Sequence, residues 1–174
     1  EKDYLPRKEK YEKAKATFNG RNSYSKTDED ATFMRMKEDA MQNGQLKPGY
    51  NVQVGTENNF VIGYDVFPNP TDTRTLKPHI ENVEKRLNCK LKTVIADAGY
   101  GSEENYDYLE EKGIIGVIKY SSYEKEIKRS FKKNTFNAEN WNYDSELKEY
   151  TCPCGNAVPY KETRKRKNPS GYEQ

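Results

Sequence analysis

Hydrophobic and polar positions alternate most clearly between residues 50 and 66. In YNVQVG, Tyr50, Val52 and Val54 alternate with Asn51 and Gln53; after GTENN, the run FVIGYDV sets Phe60, Ile62, Tyr64 and Val66 against Val61 and Asp65. A period of two on both sides of a turn-forming cluster predicts a β-hairpin. The period then lengthens. Leu76, Ile80, Val83 and Leu87 follow at spacings of 4, 3 and 4, which predicts an amphipathic helix starting near Thr75 with Pro78 in its first turn. Lys92 to Ala96 reads as a short buried strand. Ser102 is placed to cap a second helix whose first turn carries Glu103 and Glu104, which buries Tyr106 and Leu109 and which stops at Gly113. IIGVIKY reads as another strand, central in its sheet. Strands joined through a helix are expected to run parallel, and the hairpin antiparallel, so the fold class is α/β with a mixed sheet.

The flanks are less regular. Near the N-terminus Tyr4, Lys8, Tyr11, Lys15 and Phe18 recur at helical spacing among alternating charges, too thin a stripe to anchor a core. This predicts a solvated helix, or half of a helical hairpin whose partner lies upstream. Thr27 or Asp28 is positioned to cap a short helix carrying Phe33, Met34 and Met36 and ending at Asn43 and Gly44. Beyond Tyr120 basic and aromatic residues mix without period. WNYDSELKEYTC predicts a small hairpin turning at Asp144 and Ser145, with Trp141, Tyr143 and Tyr150 on its strands, and RKRKNPSGYEQ reads as disordered in isolation. The expected organisation is a polar helical arm over 1–45, an α/β core over 46–120 and a basic aromatic extension over 121–174.

Composition narrows the picture. Of 174 residues, 33% are hydrophobic and 33% charged, so a compact centre with solvated ends is expected rather than a core along the whole chain. The net charge of +2 hides a segregation. Six basic residues face two glutamates between Lys119 and Thr135, five face one between Lys161 and Lys167, and Asp97 to Glu111 holds six carboxylates with no lysine or arginine. An acidic centre between basic segments suits a metal-dependent enzyme acting on a polyphosphate backbone, and equally suits solvated helix faces. Three cysteines, Cys89, Cys152 and Cys154, give no even disulfide framework and point to a reducing, cytoplasmic setting. No apolar run reaches the roughly 18 residues a membrane span needs.

Several side chains are candidates for chemistry. Asp97 follows a β-branched run and precedes a glycine-rich turn, so it is either a reactive carboxylate at a strand end or a turn cap. Asp28 and Asp30 are rivals for a metal site and also ordinary cap material, and Asp72 in NPTD reads as turn and cap chemistry near the crevice. Cys152 and Cys154 form either half of a zinc site or a peripheral pair. His79, the single histidine, reads as a surface residue. Lys125, Lys128, Arg129, Lys132 and Lys133, with Arg164, Lys165, Arg166 and Lys167, interleave with Tyr120, Tyr123, Phe131 and Phe136 in the manner of a phosphate-contacting surface with stacking rings. A solvated arm has the same makeup.

The run GYNVQVGTENNFVIGYDVFPNPTDTRTL followed by TVIADAGYGSEENYDYLEEKGI resembles the DDE transposases of bacterial insertion sequences, in the ribonuclease H-like superfamily. SKTDEDATF, the NPTD stretch, ADAGY and CPCG fit the branch with a helical insert, and the resemblance covers about residues 20 to 165. It implies a ribonuclease H-like sheet lacking its first strand and last helix, with Asp97 as the second of three catalytic carboxylates and a ligand of Mg²⁺ or Mn²⁺. It further implies double-stranded DNA, the ends of the element, as partner. The other two carboxylates of the triad would lie upstream of Glu1 and downstream of Gln174. The expectation is therefore a central fragment, inactive and metal-free alone, with self-association as one way to fill the missing central strand. The alternative is a non-catalytic DNA-binding or interaction module from a decayed element.

Overall fold

The computed structural model describes residues 3–36, 40–168 and 170–173. Helix α1 spans Tyr4–Phe18 and buries no side chain, as its thin stripe predicts. It ends at Asn19, whose left-handed backbone halts the helix, and Phe18 stands edge-on to Tyr24 with ring centroids 5.1 Å apart.

The short helix expected after Thr27 is replaced by strand. Strands β1 (Thr32–Arg35) and β2 (Leu46–Gly49) pair antiparallel, with Phe33 opposite Pro48. The Asn-Gly signal read as a helix end belongs instead to the connection between strands, where Gly44 is left-handed and the Asn43 side chain accepts from the Gln45 amide at 3.0 Å. Arg21 fixes the approach to β1 by donating to the carbonyls of Thr17, Glu29 and Asp30. The part of the expected helix at 37–39 lies outside the described residues.

The predicted hairpin is present as β3 (Asn51–Glu57) and β4 (Phe60–Phe67), closed by Asn58 and Asn59, both left-handed. After a 3-10 turn at Asp72–Arg74 comes α2 (Leu76–Leu87), which buries Leu76, Ile80 and Val83; Leu87 is left half-exposed. Strand β5 (Thr93–Ala96) leads through a turn at Ala98–Tyr100 to α3 (Glu103–Glu111), and β6 (Ile115–Ile118) pairs parallel with β5 as expected. Ser102 caps α3 by accepting from the Asn105 amide at 3.2 Å. The helix buries Tyr108 and Leu109, whereas Tyr106 is only partly covered. Leu76, Ile80, Tyr108, Leu109 and Ile114 form one core cluster, with Leu91, Val94, Tyr100 and Ile118 against it. Two glycines let the helices approach closely: a Cβ at Gly63 would stand 2.8 Å from Val83, and one at Gly116 would stand 2.7 Å from Leu109.

The single mixed sheet expected from the element order is not what forms among the described residues. β3–β4 and β5–β6 are separate pairs, and β1–β2 and a C-terminal sheet are further ones. The helices join the two central pairs, each lying on one face. The opposite face is bare, so neither β5 nor β6 is buried or central: Ile95 is 79% exposed, and Ile115 and Val117 are also open.

In the extension, α4 (Tyr123–Glu126) and α5 (Arg129–Lys132) are single turns. The predicted small hairpin is β7 (Asn142–Asp144) and β8 (Glu149–Thr151), extended by an unanticipated β9 (Ala157–Pro159). Trp141 precedes the strand and donates to the Thr135 carbonyl at 2.8 Å. The terminal segment read as disordered is instead laid on α3, where Asn168 and Ser170 both donate to Glu104, at 2.9 and 2.7 Å, and Tyr172 donates to Asp107. Hydroxyl and amide donors meeting the acidic first half of α3 account for this ordering. No described helix is long and apolar enough to cross a membrane.

Candidate active site at the Asp97 turn

β5 ends at Ala96, and the next residue, Asp97, leaves the strand still extended. Its Oδ1 accepts from the Gly99 amide at 2.8 Å, and its carbonyl accepts from Tyr100. The turn-capping role is therefore real. The side chain is otherwise exposed, so capping does not occupy the whole carboxylate.

A second carboxylate stands beside it. Asp72 accepts from Asn51 Nδ2 at 2.7 Å and from Gln53 Nε2 at 3.2 Å. Asn51 and Gln53 are two apart on β3 and so share the face that meets the 72–74 turn. Gln53 also donates to Asn51 Oδ1, and its own carbonyl oxygen accepts from the Tyr100 hydroxyl. A Cβ on Gly99 would lie 2.9 Å from Asp97 Oδ1 and 3.0 Å from Asp72 Oδ2, so the two acids face each other across a residue that must be small. Asn105 fastens both turns by donating to the carbonyls of Thr73, at 2.9 Å, and Tyr100, at 2.7 Å. Burial, and then the nearby Asp72 and Asp97 carboxylates, push the Tyr100 phenol above its ordinary pKa. Tyr100 stays protonated and keeps its hydrogen bond to Gln53. The pairing of Asp72 with Asp97 was not read from the sequence; the i, i+2 amides of NVQ were the available signal for an acceptor lodged against that face.

The other candidates lie in different settings. Asp28 accepts from the Tyr50 hydroxyl with both oxygens, at 2.9 and 2.8 Å, and Oδ1 also caps the Asp30 amide, a structural use. His79 is not a surface residue. Its Nδ1 lies 2.6 Å from Asp65 Oδ2, and Asn82 and Arg86 reach the other oxygen of the same carboxylate at 3.0 and 2.6 Å. Lys125, Lys128, Arg129, Lys132 and Lys133 are exposed on or beside α4 and α5, and among the described residues none has a carboxylate within 4.0 Å. Arg164, Lys165 and Lys167 are exposed too, but pair with Glu162 or Glu173; Arg166 is exposed beside them. Cys152 and Cys154 sit at the β8–β9 turn. Among the described residues no three His, Cys, Asp or Glu side chains gather into a group that could hold a metal ion.

A sequence model described as the transposase DDE domain matches residues 21–170. The chain belongs to that transposase family. No curated protein and no solved structure matches it. The matched span of this DDE domain takes in the hairpin, the Asp72 turn, the Asp97 turn and the basic extension, so the polar seat around Gly99 lies wholly within the transposase domain.

Proposed function

We propose that this chain is part of a bacterial insertion-sequence transposase with a ribonuclease H-like catalytic core, and that Asp97 is one of its metal-binding carboxylates. The observation that carries the reading is an exposed aspartate immediately after β5, inside the span matched by the transposase family, with its loop held through Tyr100 by Gln53 and Asn105. Carboxylate oxygens are the donors that Mg²⁺ and Mn²⁺ select. Asp97 and Asp72 alone do not complete a cage, so the described residues fit one side of such a site and not the whole of it. In the complete transposase the cations would activate water or a DNA 3′-hydroxyl for in-line attack on a phosphodiester. The chain's own share is to hold the Asp97 carboxylate at the strand end. The Asp72 network then limits how far that loop can shift. The exposed lysines and Arg129 around α4 and α5 supply phosphate contacts that position duplex DNA without reading its sequence.

The test uses protein translated from the complete reading frame and duplex DNA carrying the ends of the element. Asp97→Ala is expected to lower strand cleavage by a factor on the order of 10³ or more while leaving DNA affinity within about twofold. Cleavage that survives the substitution would remove the assignment. A reading as a DNA-binding module alone rests on the unpaired basic residues, and it would be left standing if Asp97→Ala had no effect but affinity fell steeply with salt.

A further inference from the structure

Side chains hold the Asp72 turn to the Asp97 turn. Among the described residues no backbone hydrogen bond joins the two, and a pair of buried amides makes the link instead. Asn105, 3% exposed in the first turn of α3, donates from one amide nitrogen to carbonyls of different turns: Thr73, next to Asp72, and Tyr100, in the loop after Asp97. Gln53, 2% exposed on β3, donates to Asp72 Oδ1 and accepts from the Tyr100 hydroxyl. The two links come from separate elements and meet at Tyr100, one at its hydroxyl and the other at its carbonyl.

The loop also rests on α3 and on the end of β6. A Cβ on Gly101 would stand 2.7 Å from Tyr106 Oη and 2.9 Å from the Lys119 carbonyl, so movement in that direction is closed. Its separation from the Asp72 turn is the direction left to adjust, and Asn105 spans that separation. Burial alone requires an amide to find partners; it does not require those partners to lie on the two turns that carry the facing carboxylates.

We propose that Asn105 is a positioning residue of the candidate active site, clamping the Asp72 turn to the Asp97 turn and so setting where the Asp97 carboxylate reaches, with Gln53 as a second hold through Tyr100. This role rests on Asp97 being the metal-binding carboxylate of the proposed function. Asn105 acts through the two carbonyls and touches no reacting atom. A carboxylate displaced by about 1 Å can lose on the order of 10² in rate.

The test uses protein translated from the complete reading frame. Single-turnover cleavage of duplex DNA carrying the ends of the element is read beside DNA affinity, urea unfolding and hydrogen exchange in peptides covering 97–105. Asn105→Asp keeps the side chain's size and suits the positive end of α3, but it sets acceptors against two carbonyls. It should slow cleavage by roughly 10- to 100-fold and leave affinity within about twofold, with exchange in the 98–101 loop faster by about tenfold. Tyr100→Phe, which removes only the hydroxyl joined to Gln53, should slow cleavage by a smaller factor, about three- to tenfold, and decides the matter if the first variant does not fold. Asn82→Ala, which takes an amide from Asp65 away from both turns, should lower stability and leave the cleavage rate of folded protein unchanged. Folded Asn105→Asp and Tyr100→Phe proteins that cleave at the parent rate, loop exchange that stays at the parent rate, or Asn82→Ala slowing cleavage as much as they do would overturn the proposal. Asp97→Ala separates the two levels. Undiminished cleavage in that variant removes the reading of Asp97 and the clamp's role with it, whereas lost cleavage there beside full rates in Asn105→Asp and Tyr100→Phe removes the clamp's role alone.

Discussion

The two faces of the β3–β4 hairpin are treated in opposite ways. The face under α2 is polar: Gln53 is 2% exposed, and Asp65 is buried among His79, Asn82 and Arg86. The other face carries Val52, Val54, Tyr64 and Val66, and it is open, Val52 being 57% exposed. The helix explains the choice. Its Leu76 and Ile80 belong to the core shared with α3, whereas Val83 fits against Gly63, and the adjoining His79, Asn82 and Arg86 supply the polar contacts to the hairpin. A buried carboxylate with several donors is tolerated there because its oxygens are satisfied. An apolar stripe therefore identifies a strand and its two faces, but it does not say which face a helix will cover.

Substitutions that break this contrast should differ in size. Ile80→Ala and Leu109→Ala remove side chains that are each 2% exposed. Each should cost about 3 to 4 kcal/mol in urea unfolding, and a cost below about 1 kcal/mol would mean that α2 and α3 do not share a core. Asp65→Ala comes next. It leaves His79, Asn82 and Arg86 facing an empty site and should cost about 2 to 3 kcal/mol, with Asp65→Asn costing less because the shape and one acceptor remain.

The same carboxylate gives a pH signature. Burial pushes its pKa up, but the hydrogen bonds from His79 and Arg86, the Arg86 charge and the Asn82 amide outweigh burial and leave it below the usual carboxylate value. A folded-state pKa below the unfolded one gives a stabilisation that is complete above the unfolded value of about 4 and lost as pH falls through the folded one. Unfolding free energy measured across that acid range should decline more gently in Asp65→Asn than in the parent, and equal slopes would contradict the network. The smallest effect belongs to the open face. Val52→Thr and Val66→Thr should each stay within about 0.5 kcal/mol, whereas a loss several times larger would show that the face is covered in solution.

Local signals foretold much of the central fold. The period of two and the paired asparagines marked the hairpin, and the 4, 3, 4 spacing marked α2 with its three buried residues. Ser102 announced α3, and the crossover rule gave the parallel pairing of β5 with β6. The misreadings share a cause. Asn43-Gly44 serves a hairpin connection as readily as a helix end, and the choice fell to the pairing of β1 with β2. His79 looked exposed because a helix periodicity says nothing about a carboxylate on a strand 14 residues earlier. At the candidate site, Asp97 was legible from the strand-to-turn transition and from the family resemblance. Asp72 was read as turn and cap chemistry near the crevice, but not as a neighbour of Asp97, since that approach depends on contacts spanning 19 to 47 residues.

The order of strands and helices from β3 to β6, the capped turns at Asn58–Asn59 and Ser102, and the place of Asp97 at a strand end were set by the sequence alone, because each depends on steric and hydrogen-bonding preferences within a few neighbouring residues. Only the tertiary structure decided which hairpin face α2 covers, that the central strands stay in two pairs, and that Asp72 and Asp97 meet across Gly99. Those outcomes depend on matching donors with acceptors and bulk with space between segments distant in the chain, and no local pattern contains both halves of such a match.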